Sequence, residues 1–377
     1  MHIFISLPME EYLNSDIIGN ILGNLEKDDA FNLMNTATFM NPYRKQLQGK
    51  YCYDYYRTKM YDIKKCIMRV ISNKAIGLND YSMITHLHIK SDFFNEELNN
   101  LPITLRILEL KCKTFNKPID KLPLLLHTLI MNCDDFDHKL NKLPSSLQSL
   151  TLKLKQFNNS LNKLPRKLEI LKIETPLVTS LSKNLPNNLH TLEINCLIQP
   201  QTFSTFPQSL KKLTIEGSHI YDFNMLPPNL YDLLLYDEFF NDPVTNLPIN
   251  LQSLTIISSS FNQPLNNLPP NLESLCVTSK SFNQPLNHLP ETLKTLEFFC
   301  ENPSNIENLP PFLENLVISY GDSKELLTKL PSTLISLTTN KQIDFDSLPM
   351  HLKRLEVMYS FNNIKISNIH NLVSLNI

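Results

Sequence analysis

A unit of 21 residues repeats along most of this chain. Phe261-Asn262-Gln263-Pro264-Leu265-Asn266 returns as Phe282-Asn283-Gln284-Pro285-Leu286-Asn287. A Leu-Pro step marks each unit, thirteen times from Leu101-Pro102 to Leu348-Pro349, with Phe206-Pro207 as a variant. Successive marks lie 21 residues apart, except for two gaps of 20 and one of 18. L-x-x-L-x-L or a close variant follows each mark, as at Leu147, Leu150 and Leu152. Copies without Leu-Pro stand at Ile84-Leu87-Ile89 and Leu372-Leu375-Ile377. Self-similarity at a fixed period of this size means stacked supersecondary units.

The spacing dictates the unit. The last two apolar residues of L-x-x-L-x-L are two apart, so both point to one face of a short strand. Stacking then gives a parallel sheet of fifteen strands with its leucines inside. Proline donates no ladder hydrogen bond, so each Leu-Pro belongs where the chain turns back. Phe115, Phe136, Phe157, Phe240, Phe261 and Phe282 follow their strands by five residues and are expected to stack as a second buried row. Asparagine follows most of them (Asn116, Asn158, Asn241, Asn262, Asn283) and recurs after the next leucine (Asn141, Asn162, Asn266, Asn287). A row of amides can bond along the stack and satisfy backbone groups at the turns. No unit has room for a full helix. The fold class expected is a β-rich, leucine-rich-repeat-like solenoid of short parallel strands over residues 81–377, preceded by a small α-helical N-terminal domain.

Composition narrows the function classes. The 377 residues are 42% hydrophobic and 19% charged, with a formal net charge of −2. That balance does not favour a nucleic-acid or anionic-membrane binder, and no apolar run reaches membrane-spanning length. Only 6 glycines are present, which argues against phosphate-cradling and dinucleotide-binding turns. Asparagine tolerates the left-handed region and can take such turn positions. The 7 cysteines, without a secretory signal at Met1 to Glu11, fit reduced thiols in a cytosolic or nuclear setting. Cys112, Cys133, Cys196 and Cys300 share one repeat position. A disulfide or shared metal between Cys112 and Cys133 competes there with small buried thiols lining a turn. His86 and His88 share a strand face, but no third ligand stands near them in sequence. No G-x-x-x-x-G-K, G-x-S-x-G or H-E-x-x-H motif occurs. The expectation is a chain that is not an enzyme and holds no cofactor or metal.

The outward strand positions supply the remaining candidates. The residue between the last two strand leucines gives a row with Glu109, Lys172, Glu193, Thr214, Thr255, Cys276 and Glu297 among its members. One strand position later lie Tyr236, Ile257, Phe299 and Met358. Aromatic and Met groups on a polar face suit a protein-binding patch, as do ordinary exposed apolar residues that need no explanation. Tyr236, Ile257, Phe299, Met358, Thr255 and Glu297 form the candidate target-binding face.

The unit F-N-x-P-L-N-x-L-P-x-x-L-x-x-L-x-L resembles the FNIP repeat, a relative of the leucine-rich repeat, over roughly residues 84–377. That family is common in social amoebae and in large DNA viruses that infect amoebae, where it is often joined to an N-terminal F-box.

The chain ahead of the repeats reads as helical. Ile17, Ile18, Ile21, Leu22 and Leu25 make one apolar stripe, with Asn14 or Ser15 as its cap. Asp28-Asp29 and Asn41-Pro42 start further helices. Tyr56, Met60, Ile63, Ile67, Val70 and Ile71 keep helical spacing in a linker or cap over 51–80. Leu7-Pro8 with Glu10, the Ile17–Leu25 stripe, Asp28-Asp29 and Leu33 resemble an F-box over residues 1–50. The resemblance implies that Leu7, Pro8, Ile17, Ile18, Ile21, Leu22 and Leu25 dock on the adaptor of a cullin-RING ubiquitin ligase. The repeats would then hold an unknown target protein, in the cytoplasm, or the host cytoplasm if the chain is viral. Without that docking, the helices would only cap a stand-alone interaction scaffold. Residues 44–74 carry nine Lys or Arg interleaved with tyrosines. They read either as a solvated helix face or as a single-strand nucleic-acid surface.

Overall fold

A computed structural model describes residues 53–54, 69–72, 85–178, 185–198, 206–217, 223–286, 288–300, 309–320, 330–340, 348–357 and 373–376. The F-box-like segment with its seven adaptor residues, and Met358, lie outside them.

The chain divides into two compact units, residues 1–157 and 158–377. Each is a parallel β-solenoid whose coils keep the period of the sequence repeat. The first holds β1 (Tyr53–Asp54), β2 (Arg69–Ser72), β3 (His86–Lys90), β4 (Ile107–Lys111), β5 (Thr128–Asn132) and β6 (Ser149–Lys153). Each strand pairs parallel with the next. The second holds β7 (Ile170–Val178), β8 (Thr191–Ile198), β9 (Lys212–Glu216), β10 (Asp232–Tyr236) and β11 (Ser253–Ile257). It continues with β12 (Ser274–Ser279), β13 (Thr295–Cys300), β14 (Asn315–Tyr320), β15 (Ser336–Thr339), β16 (Arg354–Val357) and β17 (Ser374–Asn376). These too pair in chain order. Strands β3 to β17 are the fifteen that the repeat predicts.

Each coil reads the same way physically. Leu-Pro opens a tight turn. The proline carbonyl accepts a hydrogen bond from the N–H three residues on, from Leu105 on Pro102 through to Leu352 on Pro349. Proline needs no N–H of its own to serve there. Within each unit the carbonyl of the residue before a strand then accepts two N–H groups from the next coil, as Arg106 does from His127 and Thr128. Strand leucines alternate inward, giving the half-buried and buried alternation of β3 to β6. Leu108, Leu110, Leu129, Met131, Leu150 and Leu152 are fully buried.

Phenylalanines form the second layer. In the first unit Phe94, Phe115, Phe136 and Phe157 stack with centroids 5.7, 6.0 and 6.5 Å apart. In the second, Phe240, Phe261 and Phe282 stack at 5.6 and 6.0 Å. Edge-on rings end this ladder: Phe223 meets Phe240 at 78°, and Phe298 meets Phe282 at 71°. The asparagine row is present as well. Asn95 Oδ1 accepts the backbone N–H of Asn116, and Asn116 Oδ1 accepts that of Asp137. Asn241 and Asn262 do the same for Asn262 and Asn283. A turn N–H that no strand reaches is thus satisfied from the preceding coil.

Two expectations change. Residues 69–72 form a strand on β3, pairing Val70 with Leu87 and Ser72 with Ile89, where the spacing of Val70 and Ile71 suggested helix. The open edge of β3 offers a backbone ladder, and β-branched Val70 and Ile71 suit a pleated surface. Among the described residues only Asn246, at φ 59°, and Gly217, at φ 94°, occupy the left-handed region. The asparagines therefore serve mainly as side-chain acceptors, with left-handed geometry confined to one of them.

Candidate interaction face

The leucine that points inward fixes the neighbours that point out. On the second unit, strand register aligns Glu216, Tyr236, Ile257, Thr278, Phe299 and Ser319 across β9 to β14. The row beside it is Thr214, Leu234, Thr255, Cys276, Glu297 and Val317. Tyr236 is 49% exposed. Ile257, Phe299, Thr255 and Glu297 are half-buried. The structure thus brings five of the six predicted face residues onto one sheet surface. Phe239, three residues beyond Tyr236, is 76% exposed. The neighbouring Phe240 fills the ladder, and sequence reasoning took only that member of the Phe-Phe pair.

On the first unit the corresponding surface is ionic. Lys111 Nζ lies 3.0 Å from Glu109, and His88 Nδ1 lies 3.5 Å from the same carboxylate. His86 and His88 are half-buried on the face. His86 Nδ1 sits 2.9 Å from Thr85 Oγ1. At the carboxyl ends of the strands, Lys113 reaches Asp92 and Lys155 reaches Asp134, both at 2.8 Å. The hydrogen bond and charge of Asp92 raise the Lys113 pKa above the ordinary lysine range. Opposite charges one repeat apart were the available sequence signal for these pairs. Lys172 with Glu193 and Lys294 with Glu273 obey it too.

The shared cysteine position is a buried donor site. Cys112 and Cys133 are free thiols, and Cys112 Sγ points at the Ile89 carbonyl, 3.4 Å away. Burial raises their pKa values to about 11 and about 12, the latter also through the neighbouring Cys112. Serine takes the same place at two coils of the second unit. Ser258 donates to the Phe240 carbonyl at 2.8 Å, and Ser279 to that of Phe261 at 2.7 Å. At these four coils the position holds a small side chain that gives a proton to the previous coil, whereas buried Leu154 holds it at β6. On the face, Cys276 is also raised to about 11, by burial first and then by Glu297.

One open groove of about 560 Å³ lies where the chain enters β7 to β10, lined by Glu169, Asn188, His190, Lys211, Asn229 and Tyr231 among others. Its floor is a backbone ladder, with His190 N–H on the Glu169 carbonyl and Lys211 N–H on that of His190, each 2.9 Å. His190 Nε2 stands 3.6 Å from Glu169. Among the described residues no three His, Cys, Asp or Glu side chains cluster as metal ligands do. No helix there is long and apolar enough to cross a membrane.

Residues 261–300 match the family model of the FNIP Repeat. No curated protein matches the chain. Among solved structures, the chain is similar to CroV588, described as a novel circular LRR protein, with 27% identity and a TM-score of 0.59. The match covers 82% of this chain and 52% of CroV588, so the chain spans about half of that protein's length. YopM from Yersinia enterocolitica WA-314 aligns at 19% identity with a TM-score of 0.40, over 78% of this chain and 86% of its own. An internalin (inlF) from Listeria monocytogenes aligns at 17% and 0.46, over 80% of this chain and 82% of its own. With its repeat, register and FNIP Repeat match, the chain is a repeat solenoid of the leucine-rich-repeat kind.

Proposed function

We propose that this chain is a non-catalytic recognition subunit whose solenoid holds a target protein on the strand face of the second unit. The observation that carries this reading is the aligned row of Tyr236, Ile257 and Phe299 on a rigid backbone ladder. Leucine and phenylalanine rows hold the core beneath it, so the outward residues are free to vary with the partner. Aromatic side chains on such a row offer large contact area at small entropic cost. The finer reading is a receptor of a cullin-RING ubiquitin ligase. The F-box-like segment would dock on the adaptor through Leu7, Pro8, Ile17, Ile18, Ile21, Leu22 and Leu25. That part rests on the resemblance of residues 1–50. In the alternative, the N-terminal residues only cap the solenoid, and the protein is a scaffold.

The test is size exclusion with light scattering on the full chain mixed with the purified ligase adaptor, beside a Leu7→Asp, Ile18→Asp variant. A one-to-one complex that the variant cannot form supports the receptor. If the full chain stays alone, the adaptor role is dropped and the scaffold reading leads.

A further inference from the structure

The carboxyl edge of β10 differs from the two acidic edges of the first unit. There, an acidic residue just past the buried donor position meets a lysine one coil on. Asp92 is met by Lys113 and Asp134 by Lys155. In the second unit Glu238 holds that acidic position, and its backbone carbonyl anchors Ser258 and Ser260. The residue one coil on, where the lysine would stand, is Ser259. Glu238 and Asp242 are exposed and form no ion pair among the described residues. Asp237 is otherwise engaged, accepting the N–H of Phe239 at 2.9 Å. Phe239 lies between Glu238 and Asp242 in the chain and Tyr236 just ahead of them, and both rings are exposed. Lys212, on the neighbouring strand β9, is bound to Asp232 at 2.8 Å. The next, Lys280, lies two coils on.

We propose that this edge docks a protein segment carrying an arginine or lysine beside an apolar side chain, and that the segment supplies the cation that the solenoid itself supplies in its first unit. The inference deepens the target-face reading and rests on it. Three features converge on that chemistry. The unmatched carboxylates set the sign of the partner. The exposed rings offer π faces that attract ammonium and guanidinium groups. Tyr236 continues into Ile257 on the next strand, giving the apolar neighbour a place to rest. On the described outward strand positions of the second unit, six carboxylates stand against Lys172, Lys212 and Arg354, so the wider field has the same sign.

The experiment sorts a displayed library of random short peptides on the full chain, then re-measures the enriched peptides on three full-length variants. Glu238→Lys reverses the charge. Tyr236→Ala with Phe239→Ser removes the rings. Ser259→Lys installs the internal lysine found beside Asp92. All sites are on the surface, and a thermal melt of each variant checks that the fold is intact. The expected peptides carry Arg or Lys next to an apolar residue. They weaken at least tenfold on Glu238→Lys and on the ring variant, weaken similarly on Ser259→Lys, and lose affinity as salt rises. Peptides that need Tyr236 and Phe239 but show no basic preference overturn the partner chemistry and leave the target face standing. Peptides indifferent to these variants but sensitive to Phe299→Ala overturn this edge as the docking point, again leaving the face. If no peptide is enriched, or none responds to any face substitution, the inference and the target-face reading fall together.

Discussion

The two units share a core and differ at the surface. Both bury leucine on alternate strand positions, stack phenylalanine behind it, and pass a side-chain amide from coil to coil. The first unit closes its outward charges on itself, with lysines on Glu109, Asp92 and Asp134. The second leaves Tyr236 exposed on its strand row and Glu238 opposite a serine, while an exposed ring follows the acid in both, Phe93 after Asp92 and Phe239 after Glu238. A repeat whose stability lies in nearest-neighbour stacking can change its face without changing its fold. The difference between units is therefore where function should be sought.

Deleting a ladder ring is the largest test of the shared core. Phe136→Ala and Phe261→Ala each remove a fully buried ring between two stacked neighbours. Each should cost about 3–5 kcal/mol in denaturant unfolding. If one is tolerated within about 1 kcal/mol, the units do not share one core logic.

The buried donor position sharpens the comparison at the next level. Ser258→Ala removes the hydroxyl hydrogen bonds to the Phe240 and Glu238 carbonyls and should cost about 1–2 kcal/mol. Cys112→Ser installs the donor of the second unit in the first and should cost under about 1 kcal/mol. A reversed order of the two would show that the position selects for volume and not for a proton donor.

Thiol chemistry separates core from face kinetically and by pH. Burial raises Cys112 and Cys133 to about 11 and about 12 in the folded chain, against about 8.5 for a free thiol. Their contribution to stability is thus fully present below the unfolded value and lost as pH rises through the folded one. Maleimide labelling at mildly alkaline pH should leave both unmodified in the folded chain and modify both in denaturant. Cys276 should also label slowly. Fast labelling of Cys133 would contradict its burial. Smallest is the surface pair: Lys113→Ala should leave denaturant unfolding nearly unchanged, with any effect erased by salt.

The sequence makes most of this fold legible because a repeat states the same constraint many times. Leu-Pro marks the turn, L-x-L the strand, and Phe-Asn the second layer. Phe94 could have been found by counting one repeat back from Phe115, yet the Phe93-Phe94 pair hides which ring is buried. Ser258 and Ser279 share the position of Cys112 and Cys133, but different chemistry at one position is not visible as a pattern. The strand at Arg69–Ser72 was hidden by helical spacing, because a neighbouring sheet edge overrides local preference. The candidate face was legible as a row. Its exposure was not, since Tyr236 opens to solvent while Ile257 and Phe299 sit half-covered. Which carboxylates lack a partner depends on the next coil, and only alignment of the coils reveals it.

The most direct measurement is the unfolding free energy of a chain whose second face is rewritten in the manner of the first. Tyr236→Lys with Phe299→Lys copies the lysines that stand at Lys90, Lys111 and Lys153, at the same position of their strands. If these side chains serve a partner and not the fold, stability should change by about 1 kcal/mol or less. A loss of about 3 kcal/mol or more would mean that the rings hold the solenoid together, and the face would lose its claim to recognition.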